Sequence, residues 1–254
     1  MTTRAATAIV YPETDGMPLP DGEFQSPLFR RIVGDIEEHF RDTPGAHVNG
    51  NTFLYYVEGN PRRSVSPDCY VVFGLSEVAL RSLSLEGNNT YLLWEVGKAP
   101  DFVLEIGSGS TADADLGRKR DLYANLGVRE YWRFDATGGE FYGDPLVGEY
   151  LQDGEYHRFE LRHESDGRVW SHSDILNLDI WWTDGDLRFW DPLAERWLLR
   201  RDEEHAGRLE ERAKAELEHA GRLEERARAE RERAGRQEAE SRVAELEAEL
   251  RRLR

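Results

Sequence analysis

Two acids and one amine are the residues of this chain whose types and surroundings best suit chemistry. Asp68 follows Pro67 at the head of an apolar run, "DCYVVFG" (68 to 74), and Glu105 lies inside a second one, "APDFVLEIGSGST" (99 to 111). A run that is apolar at successive positions reads as a strand buried on both faces. An acid inside such a strand needs a cation, a hydrogen-bond donor or a proton, because an unpaired buried carboxylate is costly. Brought together at the ends of adjacent strands, Asp68 and Glu105 would form the oxygen-ligand pair that Mg²⁺, or Mn²⁺, prefers, with water and a substrate phosphate filling the remaining positions. A metal so held polarises a phosphoryl oxygen and activates an attacking water, and a nearby lysine orients that water or stabilises developing negative charge. Lys119, inside the basic run Arg118, Lys119, Arg120, is the candidate amine.

Each residue has a plainer account beside this one. Asp68 suits a strand cap after a proline, and Glu105 suits an ion pair with Arg129 or Arg133. Lys119 suits an i, i+4 pair with Asp115 on a solvated helix face, and Tyr123 suits packing of that helix on the sheet. Glu37 is a possible third acid from an early helix, with a surface position as its plainer reading. Arg62 and Arg63 precede the Asp68 strand, where they either meet phosphates or decorate a charged loop. The seven His residues show no metal-ligand spacing, so no zinc site is expected.

The elements that must position these groups are readable in order. "SPLFRRIVGDIEEHFRD" (26 to 42) is amphipathic at helical spacing through Phe29, Ile32, Val33, Ile36 and Phe40. Strands are expected at 52 to 59, at 68 to 74, and through the Glu105 stretch. "STADADLGRKRDLYANLG" then predicts a helix that opens on a capping box from Ser110 to Asp113 and stops at Gly127. "VREYWRFDA" predicts a further strand, and the short runs from 139 to 199 predict hairpins. Helix, strands, helix and strands together make an α/β or α+β domain around a mixed sheet.

Composition sets limits on partners and compartment. The 254 residues, 39% of them hydrophobic, suffice for one good core and an appendage. One cysteine, Cys69, excludes an internal disulfide, and no apolar run reaches the length of a membrane span, so a soluble cytoplasmic protein is expected. Of the 33 basic and 50 acidic residues, 14 and 16 lie after residue 200, leaving 19 against 34 in the part before it, a net charge of −15. That charge opposes non-specific binding of phosphates unless a metal ion intervenes. Three regions follow: an N-terminal extension (1 to 25), a globular domain (26 to 199) and a charged tail (200 to 254). The tail repeats "HAGRLEERAKA" (205 to 215) as "HAGRLEERARA" (219 to 229), and Ala206, Ala213, Ala220, Ala227, Ala234 and Ala248 share one heptad position, as in a long helix or coiled coil. The opposing column alternates Leu209 and Leu223 with Glu216 and Glu230, so a dimerising coiled coil and a single solvated helix both remain open.

The order "VSPDCYVVFG", "APDFVLEIGSGST", "DLGRKRDLYANLGVREYWRFD" resembles the Uma-two family of predicted endonucleases, a branch of the PD-(D/E)xK restriction-endonuclease-like superfamily. The resemblance covers roughly residues 25 to 197 and is most specific from 98 to 135. It implies a restriction-endonuclease-like mixed sheet flanked by helices, with Asp68 and Glu105 as the paired acids, Lys119 as the third member, and Asp101, on the same strand face as Glu105, as an accessory metal ligand. The superfamily lysine falls two residues after the glutamate, where this chain has Gly107; here Asp115, Lys119 and Tyr123 keep the family's spacing on the following helix. The activity implied is Mg²⁺-dependent hydrolysis of DNA phosphodiester bonds, by a homodimer to which the tail contributes. The alternative is a catalytically inactive nuclease-fold protein that binds or assembles through its tail. A glycosidase reading of the acid pair finds no aromatic sugar platform near it.

Overall fold

The computed structural model describes Tyr11, residues 25–84 and 89–200, and five positions of the tail, Arg212, Lys214, Arg222, Arg233 and Arg236, which are helical. The coiled-coil expectation for 200 to 254 otherwise lies outside the described residues. The chain divides into two compact units, Met1–Arg201 and Asp202–Arg254.

Within the first unit, a six-stranded mixed sheet runs in the order β1 (His47–Asn49), β4 (Cys69–Val72), β6 (Phe102–Ile106), β7 (Glu130–Phe134), β8 (Leu146–Gln152) and β9 (Glu155–Arg158). Within this sheet only the β6–β7 pair is parallel. A three-stranded sheet joins β3 (Ser64–Val65), β2 (Phe53–Tyr55) and β5 (Thr90–Leu92). The segment from 160 onward forms an antiparallel meander of β10 (Arg162–His163), β11 (Val169–Ser173), β12 (Leu178–Thr183), β13 (Asp186–Asp191) and β14 (Arg196–Trp197), the hairpins expected from the sequence. The helices are α1 (Gln25–His39), α2 (Glu77–Leu83), the single turn α3 (Leu93–Val96), and α4 (Ala112–Ala114), which runs through a π-type turn (Asp115–Lys119) into α5 (Arg120–Leu126).

The central strands are covered on both faces, which is why they read as continuous apolar runs. Phe102, Leu104, Ile106, Trp132 and Phe134 pack on one side against Leu28, Ile32 and Ile36 of α1 and against Leu178, Ile180, Leu187 and Phe189 of the meander. Removing Ile32 and Ile36 wholly from water contributes about 1.5 to 3 kcal/mol for each side chain. On the other side Tyr70, Val72, Val103 and Tyr131 meet Leu54 and Tyr91 of the small sheet, Ala79 and Leu83 of α2, and Tyr123 of α5.

Two local expectations are corrected. The segment expected as a strand from 52 to 59 is extended only over Phe53–Tyr55, because the chain turns at Gly59, where φ is +80°. It belongs to the small sheet, where it runs parallel to β5. Ser110 does not cap the helix before the π-type turn: Thr111 is the capping position, and the Ser108 carbonyl accepts from the Ala112 amide at 3.0 Å. Gly127 ends the helix as expected, with φ +82° and its amide turned back to the Ala124 and Tyr123 carbonyls.

Candidate active site

The antiparallel register of β4 against β6 pairs Cys69 with Leu104 and Tyr70 with Val103. Carried one residue back, it sets Asp68 opposite Glu105 with both side chains on the face covered by α5, the arrangement in which cross-strand neighbours interact. The Ile106 amide donates to Asp68 Oδ2 at 2.8 Å, and the Asp68 amide points to Glu105 Oε2 at 3.4 Å. Gly50 sets the entrance to this turn: a Cβ there would stand 1.9 Å from the Asp68 carbonyl oxygen and 2.7 Å from the Phe29 ring.

The helical segment over this face delivers three more polar groups at a spacing of four. Lys119 Nζ lies 2.9 Å from Glu105 Oε2 and 2.8 Å from Asp115 Oδ1. The Tyr123 hydroxyl donates to Glu105 Oε1 at 2.6 Å. Asp115 and Lys119 bound the π-type turn, a feature that recurs at functional sites. Asp115 is wholly buried; its Oδ2 accepts from the Tyr142 hydroxyl at 2.7 Å, and its carbonyl accepts from the Tyr131 hydroxyl at 3.0 Å. Tyr142 comes from the loop between β7 and β8, which Asp135 organises by accepting from the Thr137 and Phe141 amides at 2.9 and 2.7 Å.

The same loop gives a physical reason for glycine at position 107. A Cβ on Gly107 would meet the Tyr142 ring at 3.0 Å and the Phe141 ring at 3.1 Å. The space in which a side chain at 107 would begin is thus taken by aromatic rings, and the amine reaches Glu105 from the helix instead.

Burial pushes the Glu105 carboxyl up to about 8, against the opposing pull of Lys119 and with further upward push from Asp68 and Asp115. Asp68 is raised for the same first reason, burial, offset in part by the Ile106 amide and Lys119. Burial alone would lower the Lys119 amine, but Glu105 and Asp115 outweigh it and hold the ammonium above its ordinary value. Burial likewise raises the Cys69 thiol, so no thiolate nucleophile lies beside the acids.

Among the sequence candidates, Asp68, Glu105 and Lys119 are brought together. Asp101 is not. Its Oδ2 accepts from Lys98 Nζ and from the Phe73 amide, each at 2.8 Å, with Arg129 at 3.7 Å from its other oxygen. Sharing a strand face leaves it four residues, or roughly 13 Å, from Glu105. Glu37 lines a groove beside β1 with Phe40, Arg41 and His47, away from the pair. Arg133 turns to Glu149 at 2.8 Å, so this guanidinium does not pair with Glu105. Tyr123 does more than pack, and Tyr142 gave no sequence signal beyond its place in a glycine-rich loop.

Three acids, Asp68, Glu105 and Asp115, surround one ammonium, an excess of two negative charges when all are ionised. The hard oxygens of Asp68 and Glu105 suit a divalent cation of the Mg²⁺ or Mn²⁺ kind, which one or two carboxylates hold together with waters and substrate oxygens. Among the described residues no group of three or more His, Cys, Asp or Glu side chains could hold a metal ion, so a site here would be of the two-carboxylate type.

Fold and site define an α+β protein with a buried carboxylate–lysine centre on its central sheet. The chain belongs to the Uma2 family, described as "Putative restriction endonuclease", which matches residues 13–185. It is similar to a solved structure described as a putative nuclease from Anabaena variabilis, with 17% identity, a TM-score of 0.42, and coverage of 63% of this chain and 76% of that one. No curated protein sequence matches it.

Proposed function

We propose that this chain is a divalent-metal-dependent endonuclease that hydrolyses DNA phosphodiester bonds, with Asp68 and Glu105 as the metal-holding acids and Lys119 as the catalytic cation. The observation that supports it is the β4–β6 register, which opposes the two acids while Lys119 lies 2.9 Å from Glu105. Mg²⁺ or Mn²⁺ held by the pair would polarise the scissile phosphoryl group and activate the attacking water. Lys119, kept protonated by its two carboxylate neighbours, serves as an electrostatic stabiliser of charge developing on the phosphate and not as a general base. Tyr123 fixes the rotamer of Glu105 through Oε1, leaving Oε2 toward Asp68 and Lys119. Cleavage of both strands would need two such centres, and the tail is the segment proposed to join two chains.

Incubation of purified protein with supercoiled plasmid and Mn²⁺ tests the reading. Nicking or linearisation is expected, with a loss of at least about a hundredfold in Glu105→Ala; cleavage that persists unchanged in that variant rejects the assignment. A second reading, a nuclease fold that binds without cutting, is favoured by one observation. Both Glu105 oxygens already carry hydrogen-bonded or ionic partners from the chain itself. Calorimetric titration with Mn²⁺ separates the two, since a silent relative gives no Asp68-dependent heat.

A further inference from the structure

Lys119 is held by two carboxylates, and the two are not equivalent. Glu105 belongs to the opposed acid pair. Asp115 meets the same ammonium from its own helical segment, is wholly buried, and is clamped by the Tyr142 hydroxyl at 2.7 Å. Tyr142 itself stands against Gly107, where a Cβ would meet its ring at 3.0 Å. Only about an eighth of the Lys119 side chain is exposed, 12%, so an ammonium that lost every carboxylate contact here would be stranded at high cost.

We propose that Asp115 is the permanent anchor of the Lys119 ammonium and Glu105 its exchangeable one. Lys119 is then the resident counter-ion of the acid pair, competing with a divalent cation for Glu105 Oε2. Asp115, a positioning residue held by Tyr142, retains the ammonium beside the pair when Glu105 turns to the metal. The inference rests on the reading of Asp68 and Glu105 as the metal-holding acids, and it makes affinity for the ion a property of a contact between two other residues.

Calorimetric titration of the full chain with Mn²⁺ alone, without DNA, tests it. Lys119→Gln keeps a donor but removes the competing charge, and should tighten Mn²⁺ binding by about tenfold or more. Lys119→Arg, which keeps the charge, should stay near the unmodified chain. Asp115→Asn should weaken binding by a similar factor. Loss of a negative charge would do so by itself, so the deciding measurement is Asp115→Asn in the Lys119→Gln background: acting through Lys119, its effect should shrink to about twofold, whereas an independent effect would add unchanged in both backgrounds. Unchanged affinity in Lys119→Gln, or an Asp115→Asn penalty of equal size in both backgrounds, overturns the inference and leaves the metal reading standing. No Mn²⁺ binding by the unmodified chain or by Lys119→Gln overturns both, whereas binding by Lys119→Gln alone supports the competition. Should Lys119→Gln fail to fold, Tyr142→Phe decides: weaker Mn²⁺ binding supports the clamp, and an unaltered affinity rejects it.

Discussion

Glu105 combines complete burial with a carboxyl pushed up from 4.5 to about 8, burial being the largest cause. A raised acid holds its proton more firmly in the folded chain than in the unfolded one, so folding takes up a proton between these two values and stability falls as pH rises through them. Without divalent ions, the melting temperature should therefore decline from about pH 4.5 to about pH 8, and a Glu105→Gln chain should lose most of that slope. A divalent ion replaces the proton, so the gain in melting temperature on adding Mn²⁺ should be larger at the upper end of the window than at the lower. Scanning calorimetry across the range checks both, and a slope unaltered in Glu105→Gln would show that another group sets it. Asp101 leads to the opposite expectation. Its carboxylate is satisfied by Lys98 and the Phe73 amide, a structural role, so Asp101→Asn should cost about 1 to 3 kcal/mol in urea unfolding while Mn²⁺ affinity stays unchanged. The sequence placed Asp101 on the correct face and still misled, because a period of two fixes the face of a strand but not the end of it at which a site forms.

At the scale of elements, the acid pair forms because one short strand meets another in the right register. The strands themselves were legible, since burial on both faces leaves the unbroken apolar runs at 69 to 72 and 102 to 104. Their register was not, because it rests on contacts remote in sequence, such as the approach of the Asp68 carbonyl to Gly50, where no side chain fits. Gly50→Ala should force the two segments apart, with an expected loss of about 1 to 3 kcal/mol, the cost of overpacking, and a larger relative loss of Mn²⁺ affinity. Paired urea and calorimetric titrations would show it; a destabilised chain with intact affinity would mean that this contact does not set the acid pair. The Lys119 helix was legible in its Gly127 stop and in its spacing of four, whereas the π-type turn and the Tyr142 clamp were not. A π-type turn has no strong sequence signature, and Tyr142 reaches Asp115 across 27 positions of chain, beyond any local pattern.

The whole molecule poses an electrostatic problem for the function proposed. A chain with a formal charge of −17 repels a polyanion, and the usual route to tight non-specific binding, release of counterions by a basic surface, is closed to it. Part of the available positive charge is already spent internally: Arg120 and Arg133 both engage Glu149, and Arg31 and Arg200 both engage Asp186. If the acid pair holds a divalent ion, the local sign at the site reverses and a phosphate has somewhere to bind, so DNA binding should itself depend on the metal. Retention of a short duplex in a mobility assay is then expected with Ca²⁺, which has the same preference for oxygen ligands and less demanding geometry, and should vanish on chelation. It should also fail in Asp68→Asn with Ca²⁺ present, because that variant keeps the shape of the site and loses half of its charge pair. Binding that survives a chelator at moderate salt would mean that some other surface of this acidic chain recognises DNA, and that the carboxylates are not what brings a phosphate to it.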